Sequence, residues 1–137
     1  MREIREINLS SRLESVDEAA RFADEFSKSR GLDDESVYAI DLAVRESVAN
    51  AVKHGNKFDE SKNVTLTFAD TGSAVEITVR DRGPGFDVEE IPDPTDPENL
   101  LKSNGRGILF MNSFMDTIEW SNDPDGGLVV KMTKNRV

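Results

Sequence analysis

Three stretches of this chain combine residue types that could handle a phosphate-bearing ligand. Glu46 and Asn50 stand four apart in Glu46-Ser47-Val48-Ala49-Asn50, so on a helix their side chains lie one above the other on a single face. A carboxylate and an amide carbonyl placed that way offer oxygen donors to a nucleotide's magnesium, a hard cation. Taken alone, such a pair is more commonly a solvated polar face. Asp81-Arg82-Gly83-Pro84-Gly85 follows an alternating run, and its glycines permit backbone angles closed to other residues and let a ligand come close. The aspartate can accept from an exocyclic amine, which adenine offers, whereas guanine presents an acceptor at that position. Alone, it is equally a turn after a strand. Asn104-Gly105-Arg106-Gly107-Ile108 reads as a glycine-rich helix start, whose free N–H groups and positive dipole end suit phosphate. Arg106 would add a directional charge there; a helix start without a ligand is the even alternative. The combination and its order carry the nucleotide reading, and each part alone is weak.

Other candidates weigh less. Lys53 could reach a phosphate, although an exposed helical lysine is the usual case. His54, the one histidine, sits beside Gly55 at a helix end, where a favourable C-terminal charge is the simpler role. Met111, Phe114 and Met115 have helical spacing and suit a core. Trp120, in a hairpin strand, is most simply a packing residue.

The elements that must position these residues follow from periodicity. Residues 2–9 read as a strand with Ile4, Ile7 and Leu9 as imperfectly alternating apolar positions. Ser15 and Glu18 resemble a capping box ahead of Val16, Ala19, Ala20, Ala23 and Phe26, with Gly31 as the stop. Asp33 or Asp34 caps a second helix, in which Val37, Ile40, Val44, Val48 and Ala51 recur at helical spacing up to Gly55. Val64–Phe68 and Val75–Val79 alternate about Asp70-Thr71-Gly72, giving an antiparallel hairpin. Acids and Pro92, Pro94 and Pro97 forbid a regular helix interior or central strand between residues 87 and 104, where a nucleotide lid would be needed. A third helix is expected from Ile108 to about Phe114. Thr117–Ser121 and Leu128–Thr133 form a closing hairpin about Asp123-Pro124-Asp125-Gly126-Gly127. The order β-α-α-β-β-loop-α-β-β predicts one α+β domain over residues 1–137, a two-layer sandwich of a mostly antiparallel sheet with helices on one face.

Composition narrows the partners. The chain has 137 residues, no cysteine and a formal net charge of −10, which repels nucleic acid and anionic membranes and permits steering toward a basic protein. Without cysteine there is no disulfide or thiolate metal site. No apolar run approaches the ~20 residues of a membrane span, and no signal-like segment opens the chain. A cytoplasmic location is the expectation.

Glu46-x-x-x-Asn50-Ala51, Asp81-x-Gly83-x-Gly85 and Gly105-x-Gly107-Ile108 resemble the three boxes of the GHKL ATPase and kinase superfamily. That resemblance implies the Bergerat fold, with ATP and Mg2+ held under a lid, here about residues 87–104. The run from Glu46 to Gly55, the Phe114-Met115-Asp116 segment and the closing Met132-Thr133-Lys134 are similar to the anti-sigma-factor serine kinases of the RsbW and SpoIIAB type. Carried over by position, Asn50 would hold magnesium, Asp81 would read the adenine amine and Glu46 would be the general base toward a protein serine. Gly83, Gly85, Gly105, Arg106 and Gly107 would shape the pocket and meet the phosphates. The family often has a threonine after a glycine near the last strand. Here stand Gly127 and Leu128, which bears on one adenine-side hydrogen bond.

The implied role is an ATP-dependent protein-serine kinase and anti-sigma factor, a homodimer that sequesters a sigma factor and phosphorylates a STAS-domain anti-anti-sigma protein. Two alternatives share these residues: a switch kinase on a STAS scaffold without sigma binding, and a non-catalytic ATP-gated interaction module. Sensor histidine kinases and gyrase- or chaperone-like machines fit less well, since both would need further domains.

Overall fold

Strand alternation sorts apolar side chains to one side of a sheet, and helical spacing gives two helices a stripe that can cover it. The structure, a computed structural model, describes residues 3–83 and 115–135. In chain order these form β1 (Glu3–Leu9), α1 (Glu14–Ser29), α2 (Asp34–Asn50), a π-helical turn (Ala51–Gly55), β2 (Val64–Asp70), β3 (Ala74–Arg80), β4 (Thr117–Asn122) and β5 (Leu128–Asn135). The strands lie in the order β1-β2-β3-β5-β4, and each neighbouring pair is antiparallel. The expected third helix, the 87–104 segment and the glycine corner at 105–107 lie outside the described residues.

The register lines up one apolar row after another. Ile7 faces Leu66, Leu66 faces Val79, Val79 faces Val130 and Val130 faces Trp120. Leu66, Phe68, Ile77 and Met132 are fully buried, whereas Thr65, Thr67 and Thr78, one residue out of phase, are only partly covered. Helices cover the apolar face alone. Phe22 and Phe26 of α1 tilt against Phe68 of β2 with centroids 5.4 and 5.2 Å apart, and Val37, Ile40, Val44 and Val48 of α2 are buried beside them. The expected two-layer sandwich therefore holds, and the helical stripes are those the periodicity gave. Ile4 differs: it points to the open face and is 56% exposed, because it and Ile7 have opposite parity.

Helix termini follow local chemistry. Asp33 caps α2, its Oδ1 accepting from Ser36 N at 2.8 Å; hydrogen bonding by the Ser36 side chain first, and by this N–H second, holds the Asp33 carboxyl below its ordinary value. After α1, Gly31 takes φ +75°, letting Leu32 N reach Ser27 O and Gly31 N reach Lys28 O, both at 3.1 Å. That is the Schellman arrangement, in which a left-handed residue satisfies the last carbonyls. The expected Ser15 capping box is not formed. Helix α1 starts two residues earlier than a Ser15 cap implies, at Glu14; Leu13 already has helical angles and offers no side-chain cap. Ser15 N and Val16 N instead reach back to Arg12 O and Leu13 O at 3.0 Å, and the Ser15 hydroxyl donates to Ser10 O at 2.8 Å.

One contact between the helices costs stability at neutral pH. The Asp24 carboxyl on α1 is raised above its ordinary value, first by burial and then by Asp41 of α2, against which Lys28 and Arg45 pull in the other direction. Its Oδ1 is buried with no donor among the described residues. A raised folded value means that folding favours the protonated form. This contribution is fully present below the ordinary pKa of 3.8 and is lost as pH rises through the raised folded value. Asp24→Asn should therefore be more stable than the wild type at pH 7 in urea unfolding, and the difference should shrink as pH falls into the carboxylate range.

Candidate functional site

Helix α2 is fixed in rotation by Val44, Val48 and Ala51, which are buried in the core. That leaves Glu46 and Asn50 partly exposed on the adjoining face, four residues apart as the sequence required. Neither side chain makes a hydrogen bond to another described residue, so both keep their oxygens available. Asn50 is also the last α-helical residue. The expected α-helix does not continue to Gly55; the chain widens into a π turn, closed by Asn56 N donating to Ala51 O at 2.8 Å. Such widened turns are rare and recur at functional sites. Lys53 and His54 lie on this turn, both exposed.

The π turn delivers Gly55 to the end of β3. Asp81 there is 4% exposed, and a buried carboxylate needs partners. Its Oδ1 accepts from Gly83 N and from Leu128 N, each at 3.0 Å, and its own N–H donates to Leu128 O at 3.1 Å. Oδ2 receives no hydrogen bond from the described residues and lies on the Gly55 side. A Cβ at Gly55 would overlap the Asp81 carboxyl, one at Gly83 would overlap the Gly55 carbonyl, and one at Gly127 would overlap the Asp81 carbonyl. Two glycines thus crowd the aspartate, and the third crowds one of those two. At Gly127 the backbone angle, φ +102°, adds a second reason for glycine.

The structure thereby brings the first motif, through its helix end, into contact with the second. Gly85, Gly105, Arg106 and Gly107 lie outside the described residues. At the family's threonine position, Leu128 meets Asp81 through its backbone N–H, a bond that no side-chain reading of Gly127-Leu128 would reveal. Two further residues escaped the sequence. Gly55 looked like a helix stop, whereas its lack of a side chain is what admits Asp81. Asn56, 1% exposed, accepts from Arg82 N at 2.6 Å through Oδ1; an Asn directly after a helix-ending glycine was the available signal.

Among the described residues, Asp81 thus has one oxygen with two donors and one with none, beside a helix whose Glu46 and Asn50 side chains engage no described group; such an arrangement can accept a hydrogen bond from a ligand and offer oxygens to a cation. Among the described residues no three His, Cys, Asp or Glu cluster as a protein-only metal cage.

Comparison with known proteins shows the family. Residues 9–134 match the histidine kinase-like ATPase domain. This chain belongs to that family. It is 30% identical over 110 residues to the serine-protein kinase RsbW of Oceanobacillus iheyensis, spanning 76% of this chain and 68% of that one. It is 36% identical over 104 residues to an anti-sigma F factor of Clostridium perfringens, spanning 73% of each. The fold is shared with a Mycobacterium tuberculosis protein containing RsbU and RsbW domains, at TM-score 0.72 and 19% identity over 98% of this chain and 32% of that one. It is also shared with the catalytic domain of the histidine kinase ThkA, at TM-score 0.62 and 18% identity. Within the histidine kinase-like ATPase family, the chain is of the GHKL type represented by RsbW and the anti-sigma F factors. No helix among the described residues is long and apolar enough to cross a membrane.

Gly55→Ala tests the close approach. Overpacking of this kind costs about 1–3 kcal/mol, and displacement of Asp81 should weaken ATP binding by about tenfold or more, equivalent to ~1.4 kcal/mol. Urea unfolding and calorimetric titration with Mg-ATP measure the two effects separately.

Proposed function

We propose that this protein is an ATP-dependent protein-serine kinase that acts as an anti-sigma factor. The observation that carries the reading is the Asp81 carboxylate, held by the Gly83 and Leu128 N–H groups against Gly55, at the end of the turn that continues the Glu46–Asn50 helix. Asp81 accepts the exocyclic amine of adenine through its free oxygen, which favours ATP over GTP. Asn50 would hold magnesium through its side-chain carbonyl, and the cation would supply positive charge to the phosphates. Lys53 on the exposed π turn adds a positive charge near them. Gly83 forms the floor of the corner. Gly85, Gly105, Arg106 and Gly107 enter on their sequence motif, as the pocket wall and the phosphate-binding helix start, and residues 87–104 as the lid.

Phosphoryl transfer asks mainly for positioning and charge stabilisation. A serine hydroxyl of the substrate attacks the γ-phosphorus, the bond to the β-γ bridging oxygen breaks, ADP departs, and the hydroxyl proton passes to the Glu46 carboxylate. Glu46 suits this role because nothing among the described residues engages it. A module that only binds ATP would need Asn50 and the glycines but no such base.

The names serine-protein kinase and anti-sigma factor among the similar proteins support a serine kinase that binds a sigma factor; the STAS-domain substrate, the homodimer and the cytoplasmic location rest on the family resemblance. The substrate is a STAS-domain anti-anti-sigma protein, the sequestered partner a sigma factor, and the working form a cytoplasmic homodimer. The formal charge of −10 suits capture of a basic, DNA-binding partner.

The test is transfer of labelled phosphate from Mg-ATP to the serine of the cognate antagonist. Glu46→Ala should lower the rate by about 10²- to 10⁴-fold, the usual contribution of a general base, while leaving ATP binding near wild type; Asn50→Ala should weaken Mg-ATP binding itself. Phosphorylation by Glu46→Ala at the wild-type rate would remove the kinase assignment. Capture of the sigma factor by a protein that transfers no phosphate would instead favour the ATP-gated module.

A further inference from the structure

Three consecutive N–H groups close the strand end at residues 81–83, and each goes to a different place. Asp81 N donates to Leu128 O on β5, Gly83 N to the Asp81 carboxylate, and Arg82 N to Asn56 Oδ1 at 2.6 Å. The first two bonds hold the corner to its own sheet. Only the third reaches across to the helix layer.

Asn56 is equipped for that span. Its Nδ2 donates to Ser11 Oγ at 2.8 Å, to Asn63 O at 3.2 Å and to Lys62 O at 3.3 Å, and Ser11 Oγ itself donates to Lys62 O. The amide orientation is dictated by its partners, since Arg82 N can only donate and the two carbonyls can only accept. The backbone of Asn56 is anchored as well, through the bond to Ala51 O that closes the π turn. One buried side chain therefore joins the end of the nucleotide helix, the β1–α1 connection, the start of β2 and the Asp81 corner.

We propose that Asn56 is a positioning residue for adenine recognition: by holding Arg82 N it sets where the free oxygen of Asp81 points relative to the α2 helix. The inference rests on the reading of Asp81 as the acceptor of the adenine amine. Asn56 itself touches no substrate. Its effect runs through the bond between its Oδ1 and Arg82 N, whereas its Nδ2 bonds serve the loop at residues 56–63.

The two halves of the amide can be separated. Purine riboside triphosphate has hydrogen in place of the exocyclic amine and is otherwise the same as ATP, so the ratio of its dissociation constant to that of ATP reports the contact made by that amine. Calorimetry on the full chain with magnesium gives that ratio, and a thermal melt gives stability. Asn56→Ala should lower the melting temperature and shrink the ATP preference by about tenfold, ~1.4 kcal/mol. Ser11→Ala should lower the melting temperature and keep the preference. Asn56→Asp, which retains the acceptor facing Arg82 N, should keep most of it. If Asn56→Ala fails to fold, Asn56→Ser, whose hydroxyl is too short to span the gap, takes its place. Asp81→Asn is the control for the underlying reading and should abolish the preference. An unchanged preference in Asn56→Ala or Asn56→Ser, with Asp81→Asn still losing it, overturns the positioning role and leaves the Asp81 reading standing. A wild type with no preference, or Asp81→Asn with full preference, overturns both.

Discussion

The close approach of Gly55 to the Asp81 carboxyl governs how the two layers of this protein meet at the site. A carboxylate as buried as Asp81 must be satisfied by polar partners, and the β3–β5 ladder supplies one of them. Pairing of Arg80 with Val129 brings the next residue, Leu128, to Asp81, where it exchanges one bond with the backbone and gives another to the side chain. A shift of one residue in that register would turn every side chain to the opposite face and remove the aspartate from the helices. The strand register, set by Ile77, Val79, Val130 and Met132 in the core, is therefore also the setting of the ligand corner.

The helix side is set by a different device. Buried Val44, Val48 and Ala51 determine which face of α2 is left for Glu46 and Asn50, so core packing and site geometry are one choice. An α-helical continuation past Asn50 would keep that same stripe in phase. The π turn changes the phase just where the chain stops serving the core. It carries Gly55 to Asp81 and places the Asn56 amide among four backbone and side-chain partners. Widened turns are less favourable than α-helix, and here the cost is offset by the buried bonds that Asn56 makes.

Much of this was legible in the residues. Alternation and helical spacing gave the described elements nearly to their ends, because a two-layer sandwich repeats its burial rule in each strand and helix. Glu46, Asn50 and Asp81 were legible as candidates because their polar side chains fall off the apolar stripes that build the core. What escaped was contact across layers. Gly55 was read as a stop, since sequence shows a missing side chain but not the group that fills its space. Asn56 drew no reading at all, since its partners come from residues as far away as Ser11 and Arg82. The start of α1 was misread for a related reason: Ser15 had the right spacing from Glu18, but its hydroxyl found Ser10 O, and the preceding turn satisfied the first N–H groups by itself.

Electrostatics then constrains where the phosphates can be met. A chain of net charge −10 repels a polyanion, and the Glu46 and Asp81 carboxylates add to this locally. Arg82 does not compensate. Its Nη2 donates to Thr65 Oγ1 at 2.7 Å and its Nη1 to the Arg80 and Asp81 carbonyls at 3.4 Å, which draws the guanidinium toward the open face of the sheet, away from α2. Arg45 is likewise occupied, bridging Asp41 and Asp17 at 2.7 and 2.8 Å. Of the described cations near the helix end, Lys53 remains exposed on the π turn. The described scaffold thus offers little positive charge to a triphosphate. Under the proposed function, the missing positive charge is assigned to a divalent cation at Asn50 and to the Gly105-Arg106-Gly107 helix start. That division makes adenine selectivity a property of the rigid sheet corner, and makes phosphate affinity depend on groups that arrive with the ligand or come from a separate part of the chain.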